Sequence, residues 1–134
     1  MLLTGKKLMM FEDNIENITV QTAFLEQEGA QVDIFVGGTL EDLVRRLPVD
    51  VIIMDLMMPG DMDGFDFFEM LKGRQEFESI PIVAVSAMDA SLAVSKSKSM
   101  GFAGFIAKPV DAEQFPSQIA SILNGKPVWD ANRR

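Results

Sequence analysis

The stretch Val51-Ile52-Ile53-Met54-Asp55-Leu56-Met57-Met58-Pro59-Gly60-Asp61-Met62-Asp63-Gly64 sets four apolar residues directly before a carboxylate, with Pro-Gly soon after. A run this short and β-branched reads as a strand buried on both faces, the habit of parallel sheets. Asp55 then stands at the carboxyl end of that strand, the edge where open α/β sheets bind ligands. Taken alone, Asp55 reads first as a strand end facing water, so the rest of the chain decides.

Length and composition exclude several classes. A chain of 134 residues suits one domain with a single substantial core. Its 48% hydrophobic and 24% charged residues are those of an ordinary globular protein. Without cysteine it has no disulfide framework and no thiolate metal site. Without histidine it has no imidazole base and no HExxH zinc site. The opening segment, 1–7, is too short for a signal-peptide core, and no apolar run approaches a membrane span, so the cytoplasm is the default location. Asn17-Ile18-Thr19 matches a glycosylation sequon, which means nothing without secretion. A formal charge of −8 argues against nucleic acid as the direct partner.

Along the chain, strands alternate with helices. The apolar run 7–11 is a first strand. Asp13 and Glu16 form a capping-box-like pair before a helix whose Ile15, Ile18, Thr22 and Leu25 share one face, closed by Gly29. A short strand over 31–36 follows, then a helix capped by Thr39, bearing Leu40, Leu43, Val44 and Leu47 and ended by Pro48. After the third strand, 51–54, a helix over about 65–71 has Asp63 as cap and Gly73 as stop. The fourth strand, 82–85, is entered through Pro81, where a missing donor is tolerated. A helix over 90–100 closes on Gly101, a fifth strand covers 105–107, and a last helix runs 112–123 before Gly125. No repeat, low-complexity tract or linker divides the chain, so 1–134 reads as one domain with its core over about 7–124; the tail, 126–134, reads as frayed.

Five βα units with short loops predict a doubly wound α/β sandwich, a parallel sheet with helices on both faces. Its strand ends carry Glu12-Asp13, Asp55, Ser86 and Lys108-Pro109. Each has a dull alternative: the acidic pair can complement a helix N-terminus, Ser86 can be a turn residue, and Lys108 a solvated charge. Their joint placement at one sheet edge carries the functional reading.

The ordered set Glu12-Asp13, Asp55 with Met58-Pro59 and Asp63-Gly64, Ser86-Ala87 and Lys108-Pro109 resembles the receiver domains of two-component response regulators, over nearly all of 7–123. The resemblance implies a flavodoxin-like (βα)5 three-layer sandwich with sheet order 2-1-3-4-5, an order that general fold rules give for members of this class. It implies phosphoryl transfer to Asp55 from a phosphohistidine of a partner histidine kinase or His phosphotransfer protein, in a signalling module rather than a turnover enzyme. A carboxylate attacks an anionic phosphoryl group only where charge is neutralised, which calls for Mg²⁺. Asp13 and Asp55 would be direct ligands, with the Met57 backbone carbonyl by resemblance, and Glu12 would act through a bound water. Lys108 would pair with one phosphoryl oxygen and the Ser86 hydroxyl with another. The Lys108-Pro109 bond should be cis. Phe105 would be the switch aromatic, and the fourth helix, fifth strand and fifth helix the face that a downstream protein binds. Met57 and Met88, two residues beyond Asp55 and Ser86, would flank the path of a hydrolytic water and slow its attack. The fourth helix carries Ser91, Ser95, Ser97 and Ser99, all mediocre helix formers, which suits an element that shifts. The cognate kinase, the listening protein and whether the chain forms a homodimer are left open.

Two features depart from the family. The loop after Asp55 is one residue longer, with Gly60 and Asp61 between Met-Pro and Met-Asp-Gly, and Asp61 is expected to face solvent. Pro116 lies inside the expected last helix, where it removes a donor, so that helix starts late or kinks. Among other classes, a phosphatase using an aspartyl-phosphate would want a second carboxylate where Met57 stands. A flavin or dinucleotide carrier would need a phosphate-cradling loop, but Glu12-Asp13-Asn14 repels phosphate and no GxGxxG is present. The remaining alternative is a receiver-like interaction module that works without phosphorylation.

Overall fold

Three strands, β3 (Val51–Met54), β4 (Ile82–Ser86) and β5 (Gly104–Ala107), are buried at every residue, in keeping with sequences that are apolar except at Ser86. They form the centre of the sheet with β1 (Lys7–Phe11), and β2 (Gln31–Phe35) lies at one edge. All pairs are parallel, and the order is β2-β1-β3-β4-β5, followed by a sixth strand, β6 (Val128–Asp130). The structure, a computed structural model, describes residues 1–131.

Side chains alternate between the two faces of each strand. Met9, Phe11, Ile52, Met54, Ala84 and Phe105 pack on one side, against Leu43 of α2 (Leu40–Val44), Phe65 and Phe68 of α3 (Gly64–Lys72) and Ala93 of α4 (Ala90–Met100). Leu8, Met10, Ile53, Val83, Val85 and Ile106 pack on the other, against Leu25 of α1 (Ile15–Glu26) and Phe115, Ile119 and Ile122 of α5 (Gln114–Leu123). The result is the flavodoxin-like three-layer sandwich, extended by one strand.

Several helix ends differ from the sequence reading. Asn14, not Asp13, caps α1: its side chain accepts the Asn17 N–H at 2.9 Å, and Asp13 is left free of capping. Ile15 is 78% exposed, and Gln21 joins Leu25 as a buried residue of that helix. True capping boxes occur at Thr39/Asp42 and Asp63/Asp66, each side chain bonding the other residue's backbone N–H. The second helix ends at Val44, short of Leu47, and Leu47-Pro48 is cis. The last helix starts at Gln114, because the Asp111 carboxylate accepts the N–H groups of Glu113 and Gln114. Pro116 then falls in its first turn, where no intrahelical donor is lost and no kink results. The tail is not frayed over 128–130, which form β6; residues 132–134 lie outside the described residues.

Gly64 opens α3 directly beneath the phosphoacceptor candidate. A Cβ there would meet the Asp55 carbonyl oxygen at 2.3 Å and the Leu56 Cα at 2.6 Å. Both are backbone atoms that cannot swing aside, so only glycine lets the helix start this close to the end of β3. Gly64→Ala is expected to cost about 1–3 kcal/mol, in the range of core overpacking. Gly73→Ala, whose Cβ would meet only ordinary contacts at 3.5 Å, is expected to cost far less. Urea unfolding of the two variants checks this; equal stabilities would refute the steric account.

Candidate functional site

The carboxyl ends of β1, β3, β4 and β5 open on one edge, and the parallel register delivers their terminal residues to it together. Glu12 follows β1 and Asp55 follows β3. Both are nearly inaccessible, at 2% and 5% exposure, while Asp13 is exposed beside them. Lys108, just past β5, places its ammonium 3.0 Å from Glu12 Oε2 and 3.3 Å from Asp55 Oδ2. The Lys108-Pro109 bond is cis. Oxygens from Glu12, Asp13 and Asp55 all lie within 4.8 Å of one another. Opposite ligands on an octahedral Mg²⁺ stand roughly 4 Å apart. The cluster therefore fits a divalent cation after a small contraction.

Each buried carboxylate is oriented by its own loop. Asp55 Oδ1 accepts the Met57 N–H at 3.1 Å, an Asx-type turn that fixes the carboxylate plane. Glu12 Oε1 accepts the Asn14 N–H and the Asn17 side-chain amide, each at 3.2 Å. Sequence reasoning noticed Asn17 only as part of a meaningless sequon. Its position three residues after the Asn14 cap was the signal that its side chain turns back towards the end of β1. Ser86 is fully buried at the end of β4, and its Oγ accepts the Met88 N–H at 3.2 Å.

The remaining candidates fall around this edge. Met57 is 56% exposed and lines the same hollow as Glu12, Asp13, Asp55 and Lys108. Met88 lines the neighbouring hollow with Ser86 and Lys108. Phe105 is fully buried, one strand in from β6 and two residues before the end of β5, so it stands behind the edge rather than on it. Asp61 is exposed, in line with a solvent-facing insertion, and Gly60 turns the loop with φ of 96°.

Burial pushes the Glu12 carboxyl above the usual carboxylate range; the Lys108 ammonium opposes this, and the negative charge of Asp55 adds to it. A carboxyl raised on folding favours the folded state below its unfolded value, near 4.5, and that contribution is lost as pH rises through the folded value. At neutral pH the ionised Glu12 is therefore a net cost that Gln would not carry. In metal-free buffer, Glu12→Gln should gain stability relative to wild type as pH rises from about 4.5. Urea midpoints across that range test this, and a difference independent of pH would contradict it.

The model of the response regulator receiver domain family matches residues 8–120. Protein PilH of Pseudomonas aeruginosa is 31% identical over 120 residues, covering 89% of this chain and 98% of PilH. The peroxide stress-activated histidine kinase mak1 of Schizosaccharomyces pombe is 32% identical over 128 residues, and there the chain spans only 8% of the relative's length. In fold, the chain is similar to the chemotaxis response regulator CheY4 of Vibrio cholerae, with a TM-score of 0.77 at 22% identity over 89% of this chain and 99% of that one. A response regulator from Desulfuromonas acetoxidans gives a TM-score of 0.75 at 28% identity, over 89% and 97%. Among the described residues no helix is long and apolar enough to cross a membrane. With a matching family model over most of its length and the acidic cluster, serine and lysine gathered at one sheet edge, the chain belongs to the response regulator receiver domain family.

Proposed function

We infer that the chain accepts a phosphoryl group on Asp55 from a phosphohistidine of a histidine kinase or His phosphotransfer protein, in a Mg²⁺-dependent reaction. The phosphorylated state then alters the face of α4, β5 and α5, which a downstream protein binds. The observation that carries this reading is the Lys108 ammonium seated between Glu12 and Asp55, with Asp13 completing a three-carboxylate cluster.

An Asp55 carboxylate oxygen attacks phosphorus in line as the P–N bond to the donor imidazole breaks, leaving an acyl phosphate. The Met57 N–H holds the carboxylate plane during the approach. Asp13, Asp55, the Met57 carbonyl and, through water, Glu12 would hold Mg²⁺, which would supply the positive charge that lets two anions meet. Lys108 exchanges its carboxylate partners for a phosphoryl oxygen. Ser86, whose Oγ accepts from Met88, donates its own proton to another phosphoryl oxygen. Phe105 is the buried aromatic that follows the Ser86 movement. Beyond self-phosphotransfer and slow autodephosphorylation, no turnover chemistry is proposed. No feature of the site favours the alternative of a module that works without phosphorylation.

Incubation with a small phosphodonor, followed by intact-mass measurement, tests this. Wild type should take one phosphoryl group only with Mg²⁺, Asp55→Asn none, and Asp13→Ala should lose the Mg²⁺ response. Mg²⁺ at a hundredfold excess over Kd should stabilise wild type by about 2.7 kcal/mol and Asp13→Ala much less. Single-site labelling of Asp55→Asn at the wild-type level would overturn the assignment.

The methionines set the lifetime. Neither Met57 nor Met88 can hydrogen-bond a water into line behind phosphorus, and both stand at the hollows through which it must come. The phosphorylated state should be long-lived, and Met57→Asn combined with Met88→Glu should shorten it. Loss of label from purified phosphoprotein in Mg²⁺ measures this; an unchanged or longer lifetime in the double variant would dismiss water blocking.

A further inference from the structure

We propose that β6 is the resident occupant of a strand-accepting site on the edge of β5, between α4 and α5. A partner engages this chain by displacing β6 with its own extended segment, one carrying an aromatic residue followed by a carboxylate. The inference rests on the receiver reading only in taking this face as the output surface.

The site is built for a particular strand. Without β6, β5 would be an edge strand with an unpaired ladder. β6 adds in parallel, with Gly104 opposite Val128, Phe105 opposite Trp129 and Ile106 opposite Asp130. Gly104 makes the approach feasible, since a Cβ there would lie 2.6 Å from the Val128 carbonyl oxygen. Alternation along β6 sends its next two side chains to opposite faces, and each meets a specific group. Trp129 lies on the α4 side, with the Lys98 ammonium 5.1 Å from its ring centroid, a cation–π contact. Asp130 lies on the α5 side and accepts the Gln118 side-chain amide at 2.7 Å. Backbone ladder, aromatic slot and carboxylate clamp are the elements of peptide recognition by strand addition.

The occupant is held lightly. β6 has three residues, all half-buried, whereas β3, β4 and β5 are buried throughout. A hollow of about 410 Å³ remains beside the tryptophan ring, lined also by Ala90, Ser91, Val94 and Ser95 of α4. The hollow is open to solvent, so the ring borders surface that a bulkier segment could cover. What keeps β6 in place is its short tether to α5, which holds it at high effective concentration. A competitor needs a comparable local concentration or a better-filling aromatic.

The probe is a dye-labelled, end-blocked peptide of residues 126–131, followed by anisotropy with the 134-residue chain. Trp129→Ala empties the slot while leaving the tether, so this variant should bind the peptide, and wild type should bind it at least about tenfold more weakly because the tethered strand competes. Gln118→Ala in the Trp129→Ala background should weaken binding, and a peptide with Trp and Asp exchanged should not bind. The proposal is overturned if the folded Trp129→Ala chain ignores the peptide, or if wild type, variant and exchanged peptide all behave alike. Hydrogen exchange on unmodified protein decides the matter independently. Amides of 128–130 should exchange through a local opening insensitive to low denaturant, whereas exchange only through global unfolding would make β6 a permanent part of the sheet and end the proposal. Neither experiment involves phosphorylation, so their failure leaves the reading of Asp55 untouched, and failure to label Asp55 leaves the strand site untouched.

Discussion

The ammonium of Lys108 holds together a cluster that would otherwise repel itself. Glu12 and Asp55 are withdrawn from water, and Asp13 adds a third negative charge within reach of both. Charges removed from water are tolerated only when paired and hydrogen-bonded. Lys108 supplies the pairing and the loop amides supply the hydrogen bonds. One lysine leaves the site two charges negative, which a divalent cation neutralises. The same arithmetic bears on the proposed reaction. There the lysine would turn to a phosphoryl oxygen once another cation satisfied the carboxylates it leaves, which would couple metal and phosphoryl group through this one side chain.

That interaction depends on strands meeting at one edge. Lys108 follows β5, Asp55 follows β3 and Glu12 follows β1, so the three groups arrive from strands with β4 lying between two of them. Parallel pairing sets their heights, and Gly64 allows α3 to begin against the backbone of Asp55 instead of pushing the loop outward. The apolar faces that fix the register lie above and below the sheet, away from the chemistry. Packing positions the site without entering it.

Most of this was legible because its signals are local or strongly periodic. The β3 run, the strand-end residues and the helix cap at Thr39 each declare themselves within a few residues. Helix α1 was misread at its start because Asp13 and Asn14 are both good caps, and sequence cannot say which one the cluster claims for its own use. Asp13 stands beside Glu12 and Asp55, and Asn14 does the capping. Pro116 looked disruptive only while α5 was taken to begin at 112; the Asp111 carboxylate moves the start so that proline sits where it does no harm. The sixth strand was illegible for another reason. Three residues behind a proline carry no period, and their pairing is with β5, more than twenty residues back, through contacts that local propensity does not encode.

Under the proposed function, a response to the site would begin at Ser86, at the sheet centre, and run outward to α4 and β6. Ser86 ends β4, its hydroxyl is tied to the Met88 amide, and Asp89 caps α4 immediately afterwards. A pull on the Ser86 hydroxyl is therefore passed to the first turn of α4 within three residues. That helix is weakly anchored: its buried residues are Ala93 and Ser97, and the Ser97 hydroxyl has no hydrogen-bond partner among the described residues. The unsatisfied polar group lowers the cost of moving it, while Ala90, Val94 and Met100 still pack against the core. Lys98 on the same helix covers Trp129, and Ala131, just beyond β6, lines the hollow shared by Ser86 and Lys108. The last strand thus touches the response path at both ends, through α4 along its flank and through the edge itself at its tip. Under the proposed function, an element seated there by three half-buried residues would be among those whose occupancy a change at Asp55 shifts.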